Sequence, residues 1–510
     1  MSDREAAENV RCDPRWKTAL GLSLDDEGFD FTLLCYFRQR LRTSANPHRI
    51  TERFKEVASE AGLLTKRGMR VLDSTPILSG VQTQDTVTMI RSALRAVLRL
   101  LAGSDPDAGD EIRAALRRQD YEDQGKPVID WDDAEARAGL VDELAADAFA
   151  ALSILEGRAV NSELEAAVDL LATVSGQDVE WDADKSRFGI RRGVARDRVI
   201  STVDPEARHG RKSKHGLFDG YRAHVAVDPI TEIITDIKAE PANVPDGEMA
   251  VPLLPELKDR EAEITAIGDT QYGTGATRTA LIEAGATVIA KAPPDVNSTG
   301  GFPKSAFVVD LEGGTATCPA GHITNHVVYK AGRVRFWFRG SICASCPLRS
   351  RCTSSRHGRT LNLGPHEELL TEARTFQQTA EFKAIYNGMR PTVERVISRL
   401  VRRNGRKARY RGTQRVQEQI ELRASVENLR RMMVLGLYWG GPGGWALPKT
   451  CSANSGHAFN WHIQRPCQTA RPLLAAFERV VGYTRREAIL HQPTVDVQRA
   501  ARRRRLGSTR

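Results

Sequence analysis

At 510 residues the chain is too long for one simple core, and two or three domains are expected. Its 41% hydrophobic and 27% charged residues are ordinary for a soluble globular protein, and a net charge of +9 alone favours a nucleic-acid partner only slightly. The first 30 residues are polar and lack the apolar region of a signal peptide. The most apolar stretch, Met432–Leu447, is broken by five glycines and a proline, which excludes a membrane span there. Eight cysteines in a chain of this length do not make a secreted disulfide framework, so a cytoplasmic protein is expected.

Residues 1–68 read as a helical N-terminal region, with apolar residues at helical spacing over Asp30–Leu41 and Ile50–Gly62. A first strand follows at 69–73. Gln84–Leu101 is strongly amphipathic, and helical patterns continue to about residue 175, which gives a helical insertion over about 84–200. Tyr221–Asp228 alternates like a strand, Pro229-Ile-Thr turns, and 232–239 is its hairpin partner. A helix near 246–258, a strand at 264–268, a helix at Thr274–Ala284 and a strand at Ala286–Ala290 complete a β-β-α-β-α-β order after residue 220, and 69–291 is the first part of the core with its insertion. Residues 292–365 are Gly/Pro-rich and carry four cysteines. Residues 366–436 are helical again, and 437–510 are expected to be poorly ordered, with a helix at 472–480.

Three acids stand out against this order. Asp73 and Asp269 close short apolar runs that read as buried strands, and Glu394 lies on a helix followed by an arginine run. Two carboxylates at strand ends and a third on a helix suit hard divalent cations, two of which can clamp the attacking and leaving oxygens of a phosphodiester. Asp246, a rival acid, reads as a helix N-cap.

The series resembles a DDE-type transposase of bacterial insertion sequences, in the group with a cysteine-rich insertion. Its carriers are the N-terminal Ser2-Asp-Arg-Glu-Ala-Ala and Phe37-Arg-Gln-Arg-Leu41, then Leu72-Asp-Ser-Thr75, Asp204-Pro-Glu-Ala-Arg208 and Gly220-Tyr-Arg222. Further on come Gly268-Asp-Thr270 with Tyr272-Gly273, Val393-Glu-Arg395, Arg409-Tyr-Arg-Gly412 and Asn428-Leu-Arg430. The resemblance implies an α/β fold with a ribonuclease H-like catalytic core and a late helix carrying the glutamate. It implies metal-dependent phosphoryl transfer with Asp73, Asp269 and Glu394 as catalytic ligands of Mg²⁺ or Mn²⁺, cutting the element's ends and joining them to target DNA. Terminal inverted repeats and target, both double-stranded DNA, are then the partners, with a homo-oligomer in the DNA complex and a nucleoid-associated location.

Between Arg390 and Arg431 there are thirteen Arg/Lys against four Glu. Arg390, Arg402, Arg403, Arg406, Lys407, Arg409 and Arg411 are the candidate DNA contacts. Relatives commonly carry a lysine two turns after the glutamate; here Val401 stands at that point, with Arg402 and Arg403 beside it. Arg208–His215 is a second basic loop, read either as a guide for a DNA strand or as a linker. Cys318, Cys343, Cys346 and Cys352 suit tetrahedral Zn²⁺, with His322 able to replace one thiolate; reduced cysteines without metal, or redox pairing, remain open. The basic and aromatic residues over 329–356 read equally as a DNA-backbone surface or a solvated hairpin face.

Relatives have a longer N-terminus with a helical DNA-binding part, so either the true start lies upstream or the gene is a truncated copy, and the tail beyond Tyr438 resembles nothing in the family. Two other readings stay open: a DNA nuclease of the same fold, and an inactive DNA-binding remnant.

Overall fold

The computed structural model describes residues 2–64, 67–123, 125–212, 216–259, 261–297, 300–330, 332–402, 404–439 and 445–447. The chain divides into two compact units, Met1–Thr65 with Glu421–Arg510, and Lys66–Ile420.

The larger unit is built on a mixed six-stranded sheet. Its strands are β1 (Arg67–Leu78), β2 (Arg208–Arg211), β3 (Leu217–Val227), β4 (Ile234–Pro241), β5 (Glu263–Gly268) and β6 (Thr287–Ala290). β1 is the middle strand. It pairs antiparallel with β3 on one side and parallel with β5 on the other, and β5 continues parallel to β6. β3 also pairs antiparallel with β2 and β4. Val71, Leu72 and Ile77 of β1 are buried, as a middle strand covered on both faces requires.

One face carries Leu72, Ala226, Ala266 and Tyr272, packed under Met249, Leu253 and Leu281. The expected helix at 246–258 is instead two 3₁₀ turns, Asp246–Met249 and Pro255–Lys258. Pro252 and Pro255 remove two backbone donors there, which disfavours a continuous helix.

Four helices lie between β1 and β2: α1 (Thr86–Ser104), α2 (Pro106–Ala115), α3 (Ala134–Leu155) and α4 (Ser162–Asp178). They enclose their own core, including Leu94, Leu101, Ile112, Leu144 and Leu171. Asp85, Asp105, Asp133 and Asn161 each cap a helix by accepting a backbone N–H. The hairpin Val179–Asp182/Arg187–Ile190 follows, a strand pair within the stretch expected to be helical. After β5 come α5 (Gly275–Glu283), the cysteine segment, α6 (Glu367–Gln378) and α7 (Ala380–Leu400).

The smaller unit contains the helices Asp3–Cys12, Pro14–Leu20, Thr32–Arg42 and Arg49–Glu60. Ser2 and Glu5 close a capping box on the first. His48 pairs with Glu421 at 2.8 Å, and Thr51 with Ser425 at 3.1 Å. From 437 onward only Tyr438–Trp439, its partner strand Trp445–Ala446 and nearby residues are described; the helix expected at 472–480 lies outside the described residues. No described helix is long and apolar enough to cross a membrane.

Candidate active site

The parallel ladder between β1 and β5 ends with Val71 opposite Ile267. Two residues further along each chain stand Asp73 and Asp269. Asp73 continues β1, Asp269 follows directly on the end of β5, and the two are close enough for the Asp269 charge to act on the Asp73 carboxyl. Each is oriented by a local amide: Ser74 N–H donates to Asp73 Oδ1 at 2.8 Å, and Gln271 N–H to Asp269 Oδ1 at 2.8 Å. Burial pushes the Asp73 carboxyl above the ordinary carboxylate range, Arg390 and the Ser74 amide pull it back, and the Asp269 charge adds to the upward push.

Two glycines fix the turn that carries Asp269. A Cβ on Gly268 would sit 2.5 Å from Tyr272 Cβ, and one on Gly273 would sit 1.8 Å from the Lys291 carbonyl oxygen. Neither space admits a side chain. Tyr272, directly before Gly273, is fully buried. Burial and the nearby Asp246, Asp73 and Asp269 raise its hydroxyl well above the usual tyrosine range.

Glu394 arrives on α7. Phe382, Tyr386, Arg390, Val393, Ile397 and Leu400 recur at helical spacing and are buried, so this stripe faces inward. Arg390 reaches Asp73 Oδ2 at 3.0 Å and points at Glu394 Oε1 from 3.7 Å. It thus stands between the strand acid and the helix acid. Glu394 itself is 67% exposed. Tyr386 stacks on Phe382 with centroids 5.3 Å apart, and Lys291 Nζ lies 4.9 Å from its ring centroid. Arg390 was expected as a DNA contact; its guanidinium is buried and engaged with Asp73.

The basic loop after α7 is pinned to the end of β1. Leu78 N–H donates to the Arg406 carbonyl at 2.6 Å, and Ala408 N–H to the Leu78 carbonyl at 2.8 Å. Gly412 N–H donates to Asp204 Oδ1 at 3.1 Å and to the Tyr221 hydroxyl at 3.0 Å. With the backbone held, Arg402, Arg406, Lys407, Arg409 and Arg411 all lie exposed. Arg403 lies outside the described residues. Of the other basic loop, 208–211 is strand β2, and 213–215 lie outside the described residues.

Asp246 is not an N-cap. Pro245 precedes the turn, and the Asp246 carboxylate pairs with Arg222 at 2.6 Å and approaches His224 Nδ1 at 3.6 Å. His224 is fully buried, and burial pushes its imidazole down to about 4. The cluster itself is not legible in the sequence, because Arg222 and His224 come from β3 and Asp246 from a turn some twenty residues later.

In the cysteine segment, Cys318, Cys343, Cys346 and Cys352 are free and half-buried. All four, with His322, line one cavity of about 20 Å³, room for a single water or ion. Gly321 N–H donates to the Cys318 carbonyl at 2.8 Å, and Cys318 N–H to the His322 carbonyl at 2.9 Å, a tight turn that aims one thiol inward. The strand Arg333–Arg339 alternates: Phe336 and Phe338 are buried, while Arg333, Arg335 and Arg339 are on the other side. Those two aromatics therefore belong to the segment's core and to no DNA surface.

Among the described residues no three His, Cys, Asp or Glu side chains are grouped so that they could hold a metal ion. The donor chemistry nevertheless fits. Mg²⁺ is ordinarily held by one or two carboxylates, with water and substrate phosphate completing its shell, and Asp73 beside Asp269 offers such a pair. Four thiols around an ion-sized cavity are the donors Zn²⁺ takes.

Residues 317–433 match the family model described as a transposase DDE domain. The matched stretch includes the four cysteines, Arg390, Glu394 and the basic loop, and does not reach back to Asp73 or Asp269. No curated protein and no solved structure matches the chain. The match supports a DDE-type transposase.

Proposed function

We propose that this chain, as a DDE-type transposase, cleaves the ends of its insertion sequence and transfers the freed strands into target DNA. Asp73, Asp269 and Glu394 are its catalytic carboxylates, and the core that holds them is ribonuclease H-like. The observation that supports this reading is that Arg390 reaches both Asp73 and Glu394, while Asp269 follows the end of the strand that pairs in parallel with β1. The strand order, with β1 antiparallel to one neighbour and parallel to the other, supports the core assignment.

Asp73 and Asp269, joined by Glu394, would hold Mg²⁺ or Mn²⁺. Such ions activate the attacking hydroxyl and neutralise the leaving oxygen of the phosphodiester. The residues themselves supply orientation and charge. The Ser74 and Gln271 amides fix one oxygen of each acid, and Arg390 holds the second oxygen of Asp73, so a metal would share that oxygen with the guanidinium. Arg390 compensates the buried Asp73 charge, which would otherwise be costly to maintain. Glu394, exposed at the opening, is placed to complete the site when DNA arrives. The basic loop supplies the sequence-independent attraction to phosphate that positions a duplex. Cys318, Cys343, Cys346 and Cys352 would hold a structural Zn²⁺, closing the cysteine segment around its small core. The protein acts in the cytoplasm, at the nucleoid, as a homo-oligomer on paired DNA ends.

The test is a strand-transfer assay on a duplex carrying the gene's own flanks, with Mg²⁺. Nicks at the flank boundaries followed by joined products are expected. Nicks without joining would point to a nuclease, and DNA binding without nicks to an inactive remnant.

A further inference from the structure

The arginines of the four-helix insertion fall into two groups. Arg113 pairs with Asp110 at 3.0 Å, Arg117 with Asp142 at 3.0 Å, and Arg118 with Glu143 at 2.6 Å and Asp120 at 2.8 Å. Arg158 pairs with Glu111, Arg137 donates to the Trp131 carbonyl, and Arg91 donates to three backbone carbonyls. Each of these has its charge answered within the insertion. Arg95 and Arg99 of α1 have no hydrogen bond or ion pair among the described residues.

Those two lie four residues apart, one helical turn, and so on the same side of α1. They line an open groove of about 1110 Å³. Small residues Ser92, Ala96 and Ala102 share its wall with larger ones such as Leu98 and Tyr121. From the far side the groove is lined by Arg411, the last cation of the basic loop, likewise without a partner among the described residues. Its backbone is held by the neighbouring Gly412 amide on Asp204 and Tyr221. Glu122 and Asp123 also line the groove, so it is not uniformly positive.

We propose that this groove is a DNA-backbone site in which Arg95, Arg99 and Arg411 each take a phosphate. A duplex held by the loop at Arg402–Arg411 then continues across the helical insertion, which acts as a second hold on the substrate. This rests on the transposase reading. The chemistry favours a polyanion over a small one: three guanidiniums spread along an open trough, each able to bind a phosphate in fork geometry, make no closed pocket for a single anion. Continuity with the basic loop favours DNA over an acidic protein segment.

The experiment is fluorescence anisotropy of the full chain with a labelled duplex bearing the gene's flanks, titrated across salt concentrations. Each phosphate contact contributes about 0.9 to the slope of log K against log salt. The double variant Arg95→Ser/Arg99→Ser is expected to lower the slope by about 2 and to bind about tenfold more weakly at moderate salt. Arg95→Lys/Arg99→Lys should keep the slope, since the charge remains, and so should Arg117→Ser, whose arginine pairs with Asp142 outside the groove. A serine double variant with the wild-type slope would overturn the groove assignment and leave the transposase reading standing. Wild-type protein with no salt-dependent DNA binding would overturn both.

Discussion

The sheet and the cysteine segment gather reactive side chains by different means. In the sheet, β1 carries Asp73 and pairs in parallel with β5, at whose end Asp269 stands. Amides from Ser74 and Gln271 then orient them. In the cysteine segment two small three-stranded sheets surround a core whose buried members are Phe307, Ala316, Phe336, Phe338, Leu361 and Leu363. Its four thiols come from turns and a five-residue helix, Gly340–Ala344. A core of that size is marginal on its own, and small domains of this kind are commonly completed by a metal or a disulfide. The contrast teaches that the carboxylates are oriented by the sheet and its adjoining turns, whereas the thiols are gathered by turns and a short helix around a small core.

The sharpest way to break that contrast is at the carboxylates. Asp269→Asn keeps the shape of the side chain and removes its charge. Strand cleavage should fall by about 10³-fold or more while folding is retained, as judged by an unchanged thermal transition. Cleavage at near wild-type rate would mean that the strand pair is not the reacting site.

The next effect is on the wall behind Asp269. Gly273→Ala forces a methyl against the Lys291 carbonyl, so the turn must move. A loss of about 3 kcal/mol in denaturant unfolding is expected, with activity lost alongside. An unchanged midpoint would show that the turn is less fixed than its packing implies.

A third prediction concerns acid. His224 is held neutral, with a folded-state value near 4 against an ordinary 6.5, by burial, with Asp246 pulling it up and Arg222 pushing it down. The unfolded chain therefore binds a proton more readily than the folded one. Stability should be complete above pH 6.5 and fall as pH drops toward 4, by at most about 3 kcal/mol from this group. His224→Gln should flatten that part of the pH–stability curve; a curve identical to wild type would remove His224 as a contributor.

The smallest effect expected on the sheet comes from the other region. In Cys343→Ser/Cys346→Ser, bound zinc should fall from one equivalent to none, and proteolysis should open the segment around 318–352. The main unfolding transition should shift by about 1 kcal/mol or less, because the sheet's ladders do not depend on the thiols. Wild-type protein that carries no zinc after metal-replete purification would remove the metal from the account of this segment.

Much of the sheet is legible in the sequence. The apolar runs before Asp73 and Asp269 mark β1 and β5 because both are buried on two faces. The stripe from Phe382 to Leu400 marks α7. Thr274 announces α5 by capping it. Other features depend on partners distant in the chain. Asp246 looks like a cap until Arg222 of β3 is placed beside it. Arg390 looks like a surface cation until α7 packs on the sheet and brings Asp73 to it. Phe336 and Phe338 look like part of an exposed basic face until strand alternation turns them inward. Glu394 has no local mark of its own; a glutamate on a helix becomes noticeable only beside the motif it resembles. Charge run and groove also differ in this respect, since Arg95 and Arg99 are unremarkable until their lack of partners is seen.

The most direct measurement is excision and insertion in cells, using the gene with its flanking sequence and comparing the wild-type protein with Asp269→Asn. New insertions with the wild type that disappear in the variant are the expected result, and would tie mobility to the carboxylate beside Asp73. Insertions that persist at equal frequency in the variant would contradict the assignment of Asp73, Asp269 and Glu394 as the catalytic site.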